Sequence, residues 1–394
     1  MGATRDIWYL HFATFFFFLG IALVGPLISP FAISLGADPF LVGIVAAVSA
    51  VVALVTKPLG GFLGDRGLRF HLMVAGTVLG IVAGVLYVLS YYTSQLWLFA
   101  LGRGLHGFAM GIFFPPNLST AIDLAPKGRV GETLGWRGTM FSLGNLIGPA
   151  LGGYITDFSG FTVAFSVAAF LSLVSTLLVL NAYRHVGKHL PRRRKSEERA
   201  SYRQLLSPFF VFASLGLLFM SLAYSGLNTF LPAIYKVSGL GTAAFGTYAS
   251  IMGASSLFTR VIGGRQADLR GPVKVASLGL SLIIAAYVIL NARLFPPGAY
   301  VSAAIIGAGF GLAVPSLQMM ALAYLPERIR SFGSGIYTMF FDLGFLIGPL
   351  LLGYVAKASG YGAVFPLLPW IAFLALLSVQ LPRFLSSGSE PGGG

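Results

Sequence analysis

Apolar runs long enough to cross a lipid bilayer follow one another along almost the whole chain. A spanning helix needs roughly 20 apolar residues. Twelve stretches meet that need, near 8–34, 40–64, 70–92, 95–123, 130–157, 162–183, 208–236, 240–267, 273–291, 297–325, 329–357 and 361–383. The runs are continuous and do not alternate, which excludes closed β-barrels. With 56% of the residues hydrophobic and 10% charged, the composition lies outside that of soluble domains. The expected class is an all-α integral membrane protein of twelve transmembrane helices, with no segment left for a soluble catalytic domain. The first run exceeds the apolar core of a signal peptide and reads as a retained helix.

The net charge of +14 is explained by position. Of 26 Lys and Arg, 19 fall at the N-terminus, at the connections after spans 2, 4, 8 and 10, in the central linker or at the C-terminus. All of these share one side if the helices alternate; only Lys236, Arg293 and Lys357 fall on the other. The positive-inside rule then puts both termini in the cytoplasm of a cell-membrane protein. The chain has no cysteine, so disulfides, thiolate metal sites and thiol chemistry are excluded.

Two halves share one template. The polar run YRHVGKHLPRRRKSEERASYR, 183–203, separates six spans from six and lacks the aromatic interleaving of a nucleic-acid patch. It reads as a basic linker lying against anionic lipid headgroups. The expected organisation is a first half at 1–183, a linker at 184–207, a second half at 208–385 and a flexible tail at 386–394. TKPLGGFLGD in the first half is echoed by TRVIGGRQAD in the second. At an offset of 200, residues 135–165 match 335–365 at 14 of 31 positions, including a shared LIGP. Parallel duplicated halves of this kind mark transporters whose substrate site lies near the membrane midplane.

These motifs resemble the major facilitator superfamily over essentially the whole chain, and within it the 12-helix drug:proton antiporter branch. GFLGDRGLRF is similar to the family's loop between helices 2 and 3, carried by Gly61, Asp65, Arg66 and Arg69, although its glycine, Gly67, follows the aspartate by two residues. The second copy (Gly264, Asp268, Gly271) keeps the usual spacing and lacks the following base. Arg103 resembles the helix-4 arginine motif, and Gly144, Gly148, Pro149, Gly152 and Gly153 resemble the branch's helix-5 motif, echoed by Gly344, Gly348 and Pro349. The resemblance implies alternating access, a cytoplasmic gate in which Asp65, Arg69 and Asp123 form a charge relay, and a helix-5 seam against helix 8. The competing reading of the gate charges is that they mark the membrane edge. As a pair near water they would contribute modestly to stability.

Inside the hydrocarbon, charged groups are functional candidates because burying them costs several kcal/mol unless they are paired or hydrated. Asp342 is the one acidic residue at cavity depth and the first candidate proton carrier; its alternative is a packing carboxyl. Arg103 and His106, one turn apart, form a second proton candidate. His11, Asn117, Arg137, Tyr224, Asn228 and Gln318 are candidate cavity residues, each with a structural alternative as core or interhelical contact. Lys57 and Arg260 read as side chains snorkelling to the surface. Pro149 is expected to let its helix bend.

The function expected is proton-coupled export of small amphipathic or apolar solutes by a monomer, with the proton gradient as energy source and without cofactor or metal. An organic-anion or sugar transporter is the alternative, because Arg103 and Arg137 outnumber Asp342. A membrane enzyme fails for want of any HExxH, GxSxG or paired carboxylates in one span. A non-transporting sensor remains as a remote alternative.

Overall fold

A computed structural model describes residues 2–37, 39–186, 202–240 and 242–387. Most of the linker and the end of the tail, including 187–201 and 388–394, lie outside the described residues. The described chain is helical: α1 (Gly2–Val24), α2 (Ile28–Ser34), α3 (Pro39–Leu63), α4 (Arg69–Thr93), α5 (Leu96–Asp123), α6 (Val130–Val186), α7 (Pro208–Val237), α8 (Thr242–Arg270), α9 (Pro272–Ala292), α10 (Gly298–Leu322), α11 (Glu327–Ser359) and α12 (Leu368–Ser387). The first span is α1 with α2, and the fifth and sixth together form α6. Spans 2, 3 and 4 are α3, α4 and α5, and spans 7–12 are α7–α12.

Among the described residues, nine segments are long and apolar enough to cross a membrane. Two of these, Ala47–Thr93 and Val130–His185, have 47 and 56 residues, each twice a span. Glycines in the left-handed region interrupt both, Gly67 (φ 91°) in the first and Gly160 (φ 82°) in the second. A side chain at either position would be strained. α8, the eighth sequence span, falls outside the nine: its first half is diluted by Gly, Ser, Thr and Tyr, and its second half carries Arg260, Arg265, Asp268 and Arg270.

Two compact units result. The first comprises Met1–Pro126, Arg137–Ala200 and Pro326–Ile336; the second comprises Lys127–Trp136, Ser201–Leu325 and Tyr337–Gly394. Each unit thus takes the opening turns of one helix, α11 or α6, whose remainder belongs to the other. In the first unit, Leu10, Phe17 and Phe18 of α1 pack with Met73 of α4, Phe113 of α5 and Val179 of α6. A second cluster gathers Phe31, Tyr87, Phe99 and Phe165.

The duplicated sequence becomes duplicated packing. In the first unit, Gly107 and Gly111 of α5 lie against the backbone of Ser49 and the hydroxyl of Thr56 on α3. In the second, Gly307 and Gly311 of α10 meet Met252 and Thr259 of α8 in the same way. The α10 glycines lie 200 residues after their counterparts and the α8 residues 203 after theirs. A methyl group at Gly111 or Gly311 would collide with a threonine oxygen, so only glycine permits the approach.

Within the first unit, Gly144, Gly148 and Gly152 face α1, against Phe15, Leu19, Ala22 and Leu23. α8 meets the opening turns of α6, where Gly264 approaches Gly131, and Arg260 and Val261 approach Gly135. The small residues that admit α8 are therefore Gly131 and Gly135, two or more turns before the motif. Correspondingly, Gly344 and Gly348 of α11 lie against Leu218, Ser221, Leu222 and Ser225 of α7, and Ser225 Oγ donates to the Gly344 carbonyl at 3.1 Å. Helical backbone continues through Pro149, and the non-helical residue within α6 is Gly160.

Gly148→Leu should therefore force α1 away and lower the melting temperature in detergent, an overpacking cost of about 1–3 kcal/mol. Gly153→Leu, where a Cβ meets nothing within 4 Å, should leave it nearly unchanged. Equal losses for the two variants would contradict this packing.

Candidate functional site

The connection between α3 and α4 places its charges at the start of α11, within the first unit. Asp65 accepts hydrogen bonds from two backbone N–H groups of α11, Ser331 at 2.8 Å and Phe332 at 2.6 Å. A carboxylate near a helix N-terminus is favoured by the amide dipoles there. Gly61, one turn earlier, lets the α3 backbone approach Ser331 closely. Arg69 reaches Asp65 at 3.5 Å, donates to the Glu327 carbonyl at 2.8 Å and pairs with Asp123. The other oxygen of Asp123 pairs with Arg330, a partner the sequence reading did not name. Arg66 lies apart from this network, its guanidinium 4.1 Å from the Phe62 ring centroid.

These side chains are at most 14% exposed, so the network is buried and not the water-exposed pair expected from sequence. In such surroundings, removing one partner leaves the others uncompensated.

The second unit contains the same device in reduced form. Asp268 at the end of α8 accepts from Gly131 N at 2.7 Å and Glu132 N at 2.8 Å, in the first turn of α6. Gly131 and Glu132 precede Ser331 and Phe332 by 200 residues, so the two carboxylates bind equivalent amides. Pro272 stands where Arg69 would be. The ion pair at this end is instead local, Arg129 with Glu132 at 2.6 Å.

A second group of candidates meets inside the first unit. Arg137 Nε donates to Asn117 Oδ1 at 2.6 Å, and the Thr14 hydroxyl lies 3.2 Å from the same oxygen. The Arg137 guanidinium stands 4.4 Å from the Phe114 ring centroid and Lys57 Nζ 5.7 Å from it. Lys57 is only 5% exposed, so it does not snorkel to the surface as expected; its ammonium lies near the same aromatic ring as Arg137. Arg260, the corresponding base in the second unit, is also buried and donates to Ser256 Oγ at 3.3 Å. His11 is buried with its ring edge-on to Trp8.

Arg103 and His106 are joined by Tyr87, a residue the sequence reading missed. The Tyr87 hydroxyl lies 2.9 Å from His106 Nδ1, and Arg103 Nε donates to the Val45 carbonyl at 3.4 Å. Tyr87 belongs to the Phe99–Phe165 cluster. One signal could have found it: Tyr287 recurs at the repeat offset. In the second unit, Asn228 donates to the Tyr224 carbonyl at 2.9 Å, and the Tyr224 ring contacts Phe310 and Phe345. Gln318 is buried on α10. Asp342, half-buried, follows Phe341, whose ring packs on Phe345.

A family model described as Major Facilitator Superfamily matches residues 10–349 and 245–393. The chain belongs to this superfamily. Its members are transporters, not enzymes, and this chain is accordingly an integral membrane transporter of small-molecule substrates. It is 26% identical over 380 residues to the multidrug resistance protein MdtG of Dickeya zeae, covering 92% of this chain and 90% of that protein. It is 25% identical over 372 residues to the multi-drug resistance efflux pump PmrA of Streptococcus pneumoniae serotype 4, covering 92% and 91%. Among solved structures, the human organic anion transporter MFSD10 (TETRAN) superposes with a TM-score of 0.78 at 18% identity, covering 96% of this chain and 100% of that one. The fucose:proton symporter FucP of E. coli gives a TM-score of 0.79 at 14% identity, covering 97% and 99%. At these identities the two structures establish a shared fold.

The two helix-end networks should differ in stability. Asp123→Asn weakens the pairing of both Arg69 and Arg330 and should cost about 3–5 kcal/mol, read as a clear fall in melting temperature. Asp268→Asn, which alters two amide contacts and no such cation pair, should cost less. A larger loss for Asp268→Asn would overturn this ranking.

Proposed function

We propose that the chain is a proton-coupled exporter of small amphipathic solutes that works by alternating access in the cell membrane. The observation that carries this reading is the pair of matching helix-end caps, Asp65 on α11 and Asp268 on α6. Each joins the end of one helix to the opening turns of a helix encoded in the other half of the sequence, through two amide hydrogen bonds. Contacts of this size can open and re-form as units, which is what a gate at one membrane face requires. The Arg69–Asp123–Arg330 pairs make the first cap the stronger of the two.

The distribution of basic residues supports placing both caps and both termini on the cytoplasmic side. Efflux is supported by relatives named as multidrug resistance and efflux proteins. Asp342 is assigned as the proton carrier, with Arg103, Tyr87 and His106 as the second candidate, and the proton gradient supplies the energy without a cofactor. The protein acts as a monomer in contact with lipid. A second reading, transport of an organic anion, is favoured by the buried Lys57 and Arg137 side chains against Phe114.

Asp342→Asn keeps the size of the side chain and fixes it neutral. In proteoliposomes it should abolish accumulation driven by an imposed pH gradient while sparing the binding of neutral compounds. If the variant still concentrates substrate with the pH gradient as sole energy source, the carrier is elsewhere, and the Arg103/His106 pair becomes the site to test.

A further inference from the structure

We propose that the cluster formed by His11, Thr14, Lys57, Phe114, Asn117 and Arg137 is a carboxylate-binding site that selects amphipathic acids as substrates. This inference rests on the transporter reading and names the substrate class at its site.

The argument starts from Asn117, which is fully buried. Its side-chain oxygen faces Arg137 Nε at 2.6 Å and the Thr14 hydroxyl at 3.2 Å, so the amide is held with its NH2 group on the opposite side. That nitrogen has no hydrogen-bond partner among the described residues. A buried amide donor left unmade costs about 1–3 kcal/mol. His11, 2% exposed, likewise leaves Nδ1 without a partner. What the cluster lacks at Asn117 is therefore an acceptor. The fixed charges nearby, Lys57 and Arg137 near the ring of Phe114, are positive and favour an acceptor that carries negative charge.

The same ring supplies the apolar half of the site. Phe114 lies 5.7 Å from Phe18 and 6.0 Å from Phe141 between ring centroids, and Phe18 lies 4.5 Å from Phe141. A carboxylate seated on the donors would carry its hydrocarbon body against these rings, which describes an amphipathic acid better than a sugar.

The repeat separates this chemistry from packing. Structural positions recur between the halves: Gly107, Gly111, Asp65 and Tyr87 have counterparts in Gly307, Gly311, Asp268 and Tyr287. The donor cluster does not recur. At the offset of 200, Asn117 becomes Leu317, Arg137 becomes Tyr337 and Phe114 becomes Val314, while Thr14 keeps a hydroxyl as Ser214; at the α3–α8 offset of 203, Lys57 keeps a base as Arg260. The second unit packs without these groups, so the repeat's architecture does not require them in the first.

The test uses three probes of one shape, 4-phenylbutyrate, 4-phenylbutyramide and 4-phenylbutylamine, with full-length protein. Binding is measured in detergent and flux in proteoliposomes. The acid should bind most tightly. Asn117→Asp, close to isosteric, should weaken the acid about tenfold or more, corresponding to a charge-assisted hydrogen bond, while changing the amide less than about threefold. Arg137→Met should do the same; where it fails to fold, the probe ranking with the unaltered protein and with Asn117→Asp decides. If the amine or amide binds as well as the acid, or if folded Asn117→Asp keeps full affinity for the acid, the carboxylate site is overturned and the transport reading stands. If none of the three shows saturable flux, both fall.

Discussion

Helices in a bilayer cannot rely on the hydrophobic effect to pull them together, because lipid tails are as apolar as leucine, and close approach of backbones must replace it. This constraint organises the molecule. α3 meets α5 across Ser49, Thr56, Gly60, Gly107 and Gly111, and α8 meets α10 across Met252, Thr259, Gly263, Gly307 and Gly311. The glycines are fixed by contact, since a methyl group at any of them would enter a neighbouring backbone or a threonine hydroxyl. The seams hold α3 and α8 in place, and those helices carry Gly61–Asp65 and Gly264–Asp268 to the ends where they cap α11 and α6.

At those ends a different force operates. The opening turns of a helix align their amide dipoles and favour anionic acceptors beside them. Asp65 and Asp268 supply them through both carboxylate oxygens. The halves then diverge: Arg69, Asp123 and Arg330 add buried charge pairing to the first cap, while Pro272 removes the equivalent base from the second. Geometry has been kept in duplicate where packing demands it, and side-chain chemistry has drifted where it does not. The unrepeated group at Asn117 and Arg137 stands out for this reason.

What was legible in the sequence follows the same division. Membrane class and duplication came from local patterns of apolar length, glycine spacing and charge, while the grouping of Asp65, Arg69 and Asp123 came from the family resemblance. The partner of the Gly144–Gly152 face was not legible, because a glycine stripe states that something approaches closely without saying which helix. Nor was the direction of Lys57, whose four-carbon stem reaches either the surface or the Phe114 ring. Thr14 and Arg330 carry no distinctive spacing, and their roles, like that of Tyr87, depend on which residue of another helix lies opposite. Arg330 in particular looks like an ordinary base at a membrane edge until Asp123 is placed beside it.

The absence of native cysteine permits the most direct test of the gating account. A single Phe141→Cys, at a half-buried ring of the proposed site, can be challenged with a membrane-impermeant maleimide from each side of oriented vesicles. With both caps intact, the account predicts labelling from the side opposite the α3–α4 connection. With Asp65→Asn and Asp268→Asn combined, it predicts that labelling from the connection side appears. An unchanged pattern in the double variant, with the protein still folded, would contradict the claim that these two carboxylates close one face of the transporter.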